Sequence, residues 1–195
     1  EKTILKQEFE DFIASSQERI FLRTYFISGL KENCDIMIWR MHNLLDYLQK
    51  ISAQSMRIGI GKYMEIKHSY IGMKNFKAEN LDELNKRAGI YPYLLLHPLI
   101  KSHKWYELAE KEREDLISER EKILIDYKNI IENFFISFGI DDQDMIVVRE
   151  ALRMEELIEA TRKLKTMRTK SYTITDKPVF LCIGKDLREI LDTLS

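Results

Sequence analysis

The sequence is short of several things, and each shortage excludes a class of function. Only two cysteines occur in 195 residues. Cys34 and Cys182 provide neither a disulfide framework nor thiolate spacing for a metal. Neither has a nearby histidine to activate it, so both read as inert thiols in a reducing, cytoplasmic setting. A surplus of one charge is also missing: 31 Lys and Arg meet 32 Asp and Glu, for a net charge of -1. Without a basic excess, nucleic acid is not the expected partner. No apolar run approaches the roughly 20 residues of a membrane span. The longest, around Leu94-Leu95-Leu96, soon meets His97 and Pro98. No signal-peptide pattern is visible, so no membrane association is expected. His42 and His68 lack a histidine four residues on, so no metal site is expected there. Gly59-Ile60-Gly61-Lys62 lacks the spacing of a phosphate-binding loop and reads as a turn. What is present is 45% hydrophobic and 32% charged residues, enough for one large packed domain or two small ones.

Hydrophobic periodicity divides the chain into two cycles. Residues 1–17 predict a helical extension with Leu5, Phe9, Phe12 and Ile13 on one face. Residues 18–88 form a first half: strands over Ile20–Ile27 and Asp35–Trp39, a helix carrying Leu44, Leu45, Leu48 and Ile51, a strand over Tyr63–Ile71, and a short helix at Leu81-x-x-Leu84 stopped by Gly89. Residues 89–195 form a second half. It opens with an apolar strand over Tyr91–Ile100, which Pro92 and Pro98 restrict to edge or irregular pairing. A long charged helix follows from about Ala109 to Ile131, then strands at Phe134–Phe138 and Met145–Val148. An amphipathic helix over Leu152–Leu164, strands at Ser171–Ile174 and Val179–Ile183, and a closing helix over Leu187–Leu194 complete it.

The halves match in letters. Phe26-Ile27-Ser28 corresponds to Phe135-Ile136-Ser137, Asp35 to Asp144, and Leu48 to Leu157, all at one offset of 109 residues. This reads as an internal duplication. Each copy then holds a β-β-α-β core, and the class is α+β, with helices on one face of an antiparallel sheet.

Leu22–Leu30 (LRTYFISGL) and Asp35–Arg40 (DIMIWR) resemble the first half of the chlorite dismutase-like family, which includes the coprohaem decarboxylases. His97–Leu108 (HPLIKSHKWYEL), followed by Glu110–Glu114 (EKERE), resembles its central signature. Gly139–Asp144 and Tyr172–Leu191 are similar to its second half. The resemblance spans roughly residues 19–194. It implies two ferredoxin-like halves forming a barrel-like unit, assembly as a homo-oligomer in rings of five, haem as cofactor, and an oxidoreductase activity: chlorite breakdown or peroxide-driven decarboxylation of coprohaem.

The sequence departs from the family at three functional positions. Leu116-Ile117 fits the Leu-Met pair that precedes the family's axial histidine, which places Arg120 at the histidine position. A guanidinium has no acceptor lone pair and cannot ligate iron. His97 stands at the redox tyrosine of the decarboxylases, with Pro98 and Lys101 kept; Tyr91-Pro92-Tyr93 could substitute for it only by a register shift. The distal polar residue falls at Glu132 or Asn133. Arg120, Lys101, Trp105 and His97 are therefore the candidate cofactor-binding residues, and no catalytic residue is assigned. Arg120 lies on an apolar stripe with Leu116, Ile123 and Tyr127 and has no acid on its own helix at ion-pair spacing. It must pair across the fold, meet an anion, or be exposed. His97 and His103 are candidate replacement ligands against a structural role, Trp105 and Tyr106 candidate packing residues, and Lys101 a carboxylate partner or a solvated lysine. Two readings remain open: a haem-dependent oxidoreductase with an altered ligand, and a non-haem member whose pocket is filled by side chains or by an anionic small ligand.

Overall fold

A computed structural model describes residues 1–74 and 81–194. In chain order the elements are α1 (Lys2–Gln17), β1 (Phe21–Phe26), β2 (Ile36–Met41), α2 (Leu45–Ser55), a 3-10 turn (Gly59–Tyr63), α3 (Leu81–Asn85), β3 (Tyr93–Lys101), α4 (His103–Glu107), α5 (Glu110–Leu124), β4 (Ile130–Ile136), β5 (Met145–Ala151), α6 (Met154–Lys165), a second 3-10 turn (Arg168–Tyr172), β6 (Thr173–Thr175), β7 (Phe180–Gly184) and α7 (Leu187–Thr193). The fold is α+β with antiparallel ferredoxin-like sheets, as expected.

The chain forms two compact units. The first holds residues 1–69, 81–89 and 182–194; the second holds 70–74 and 90–181. In the first, β1 pairs with β2 from Phe21↔Met41 to Phe26↔Ile36, and the end of β7 lies on its other side through Phe26↔Ile183. Phe9, Ile13, Ile20, Leu22, Ile51, Leu187 and Leu191 make its core. So α1 is no appendage: the stripe read as an extension supplies Phe9 and Ile13 to that core. Residues 182–194, counted with the second half on sequence, are grouped here for the same reason, because Leu187 and Leu191 bury in this cluster.

In the second unit β5 lies between β3 (Tyr93↔Ala151 to Leu99↔Met145) and β4 (Ile130↔Ala151 to Ile136↔Met145). The end of β3 pairs with β6. Pro98 therefore sits within a paired stretch, opposite Ile146, rather than at an edge. Strand β5 runs three residues past the expected Val148, through Arg149 and Glu150, because both charged side chains find partners. Glu150 accepts the backbone N–H groups of Ile90 (2.7 Å) and Tyr91 (3.3 Å).

Two further expectations are corrected. The long helix ends at Leu124, not Ile131; Tyr127 folds into the core, its hydroxyl donates to Glu159 at 3.0 Å, and Ile130 starts β4. Tyr63–Ile71 forms no strand. Tyr63 ends a 3-10 turn, Tyr63 and Ile66 are exposed, and pairing begins only beyond the stretch, at the single bridge Met73↔Ile136. Strand propensity describes a surface that fits a sheet, and none of the described strands pairs with this stretch.

The duplication is visible with one refinement. The offset of 109 relates β2 to β5, α2 to α6, and the 3-10 turn at Gly59 to that at Arg168. The first strands do not obey it. Phe26↔Ile36 closes one hairpin and Ile136↔Met145 the other, and Gly29 (φ +76°) matches Gly139 (φ +74°). Phe26 thus corresponds to Ile136, one residue beyond the letter match. Because strand side chains alternate faces, that residue decides which side chains point inward.

Candidate ion-pair site on the sheet of the second unit

Antiparallel register places Glu132 of β4 directly opposite Arg149 of β5, and His97 of β3 opposite Val147. With a period of two, Leu95, His97, Leu99 and Lys101 share one face of the sheet with Val147, Arg149 and Glu132. Helix α5 reaches that face through Arg120 and α6 through Thr161. The Arg120 guanidinium donates to both oxygens of Glu132: Nε to Oε1, and Nη2 to Oε2 at 2.6 Å. Arg149 donates Nε and Nη2 to Glu132 Oε2 at 2.9 and 2.8 Å, and Nη1 to Thr161 Oγ1 at 2.9 Å. One carboxylate is held between two guanidinium forks. The side chains of Arg149, Glu132 and Arg120 are 4%, 11% and 18% exposed.

Electrostatics follow from that geometry. Burial alone would raise the Glu132 carboxyl, but the hydrogen bonds and charge of Arg120, with Arg149 beside it, hold it below the usual carboxylate range. His97 is pushed down to about 4, first by burial and then by the charge of Arg149, with Arg120 and Lys170 adding to it and Asp176 opposing. The imidazole is neutral, and its buried Nε2 has no hydrogen-bond partner.

Lys101 was expected to be solvated unless it met a carboxylate; it is 8% exposed. Its Nζ lies 4.4 Å from the Trp105 ring centroid and donates to Thr173 Oγ1 (3.2 Å) and the Thr169 carbonyl (3.4 Å). Burial, then the charges of Arg120 and Lys170, push it down to about 8. Trp105 is buried against Lys101 and Tyr172.

The structure thus brings His97, Lys101, Trp105 and Arg120 into one unit. His103 lies in the same unit, but its side chain is 88% exposed beside Glu107. His42 lies in the first unit, where Nδ1 accepts the N–H of Leu44. Of the two distal candidates, Glu132 faces Arg120, while Asn133 accepts from Lys74 at 2.8 Å. Both cysteines are free, and burial pushes the Cys182 thiol up to about 12. Among the described residues no cluster could hold a metal ion. Arg149 and Thr161 were missed by the sequence reading. The available signal was a charge within the apolar run of β5, at a position alternation assigns to the same face as Val147.

A family model described as chlorite dismutase matches residues 2–185. Coproheme decarboxylase from Mycolicibacterium smegmatis is 24% identical over 160 residues, 80% of this chain and 69% of that protein. Among solved structures, a variant of chlorite dismutase from Candidatus Nitrospira defluvii matches with a TM-score of 0.85 at 22% identity, covering 98% of this chain and 86% of its own. The same organism's enzyme in complex with imidazole gives 0.84 at 22%, covering 98% and 85%. These structural likenesses carry the fold. The family model spans nearly the whole chain, and on that ground the protein belongs to the chlorite dismutase family.

Proposed function

We propose that this chain is a chlorite dismutase family member that does not hold haem through α5, its family pocket being filled by side chains or holding an anionic small ligand. The observation that carries this is the bridge from Arg120 to Glu132 to Arg149. Haem-dependent oxidoreductase chemistry of the family's kind needs an axial donor with a free lone pair. Arg120, at the family's proximal position, has none. Making room for a cofactor at Arg120 would also break the direct Arg120–Glu132 contact and leave a charge buried without its partner. The donor set on α5 therefore does not fit haem.

A second reading keeps the family activity, a haem-dependent oxidoreductase with an altered ligand. One observation favours it: His97 carries a buried Nε2 with no partner on an imidazole that stays neutral, the form an iron ligand needs. In that reading His97 would supply the iron ligand, and Lys101, Trp105 and Arg120 would line the cofactor.

The proposed setting is cytoplasmic, supported by two free cysteines. Among the described residues no helix is long and apolar enough to cross a membrane. The proposed assembly is a homo-oligomer, a pentamer on the family resemblance.

Titration of purified protein with haem b and with coprohaem, read at the Soret band, tests the main reading. The expected result is no ligated spectrum in wild type. Stoichiometric ligated haem would overturn it, and loss of that spectrum in His97→Ala would establish the second reading.

A further inference from the structure

We propose that His97, Lys101 and Arg120 bound a binding site for a compact oxyanion of carboxylate size, with His97 Nε2–H and the Arg120 guanidinium as donors. This rests on the reading that no haem occupies the pocket. Three observations point to it.

The first is a charge imbalance. The cations acting on His97 and Lys101 are Arg149, Arg120, Lys170 and Lys101 itself; the acids facing them are Glu132, Asp176 and Asp144. Lys170 and Asp176 pair with each other. Glu132 is shared by two arginines, and Asp144 spends Oδ2 on the backbone N–H of Lys101 at 2.5 Å. One cation is left in excess among largely buried groups, and buried charge is normally matched.

The second is unused donor capacity. Arg120 commits Nε and Nη2 to Glu132 and has no hydrogen-bond partner at Nη1 among the described residues. His97 Nε2 is buried and unpartnered, although buried polar atoms are almost always satisfied. The third is the sign of the local field. Excess positive charge beside a neutral imidazole repels a metal ion and attracts an anion. Arg geometry suits a planar carboxylate in particular. The ligand must be compact because Arg120 and Glu132 remain in contact.

The test uses the intact purified chain. Sodium acetate and inorganic phosphate are titrated in, with sodium chloride at matched ionic strength as the control. The imidazole ¹H–¹⁵N signals of His97 and the melting temperature are followed. Acetate is expected to move the His97 signals saturably, to raise the pKa of that imidazole, and to raise Tm beyond chloride. Arg120→Gln and, independently, His97→Asn are expected to bind about tenfold more weakly, the loss of one charge-assisted hydrogen bond. Either variant suffices if the other does not fold. His97 signals unmoved by both oxyanions, or an equal Tm rise in wild type and His97→Asn, overturns the site. The haem titration separates the two readings. Ligated haem in wild type removes the premise, whereas neither haem nor oxyanion binding removes the oxyanion site alone.

Discussion

Glu132 neutralises one of the two guanidinium groups that grip it and hydrogen-bonds to both. Glu132→Gln keeps the shape and removes the charge, leaving Arg149 and Arg120 facing each other across an amide. Breaking one partner of a buried ion pair costs about 3–5 kcal/mol. A loss of about that size is expected in urea unfolding, and a loss below about 1 kcal/mol would show that the cluster is solvated. His97 gives a pH signature. Its folded pKa, about 4, lies below the reference 6.5, so the unfolded chain takes up the proton first as pH falls. Stability is therefore full above about 6.5 and declines as pH drops towards 4, by about 3 kcal/mol at 1.36 kcal/mol per unit. Urea midpoints measured from pH 7 to 4 should show that decline in wild type and a shallower one in His97→Phe. At this scale Arg120 was legible, because a cation on an apolar stripe with no acid on its own helix must look elsewhere for a partner. Its partner was not: Glu132 and Asn133 are adjacent, and only the hairpin register decides which of them faces α5.

The elements were legible where burial is one-sided and periodic. The helices α1, α2, α6 and α7 were read close to their bounds because each shows a single apolar stripe. Strand β5 was cut short because it is buried through Arg149 and Glu150, and charged letters at its end look like a loop until their partners are known. Tyr63–Ile71 differs for the opposite reason, having strand-like residues but no strand that pairs with them among the described residues. One tight element is the 3-10 turn at Gly59–Tyr63, which packs on α1. A Cβ at Gly61 would run into the Ser55 carbonyl oxygen and approach the Phe9 ring at 3.0 Å. Gly61→Ala is therefore expected to destabilise by about 2–3 kcal/mol, with faster proteolysis within α1. Gly29→Ala serves as the control: its Cβ meets nothing within 4 Å, although φ is +76°, so only the strain of a left-handed alanine, about 1 kcal/mol, is expected.

At the scale of the molecule, two cycles of strands and helices were legible in the letters; the grouping of the last segment was not. Periodicity reports that Leu187 and Leu191 will be buried, but not in which of two cores. A fragment of residues 1–89 lacks β7 and α7, so it is expected to show no cooperative melting transition by circular dichroism. A sharp transition in that fragment would mean that Leu187, Ile190 and Leu191 are dispensable to the first core.

That return of the chain also sets an order of events during translation. Domains usually close in the order in which the ribosome delivers them, at about 5–20 residues per second. Here α1, β1, β2 and α2 are delivered first, but the segment that completes their core comes more than roughly a hundred residues later, after the whole of β3 to β6. The amino-terminal unit consequently waits on the order of ten seconds with Phe9, Leu22 and Ile51 short of cover. During that interval those side chains present the kind of exposed apolar surface that chaperones bind, and the unit made second is the first that can close.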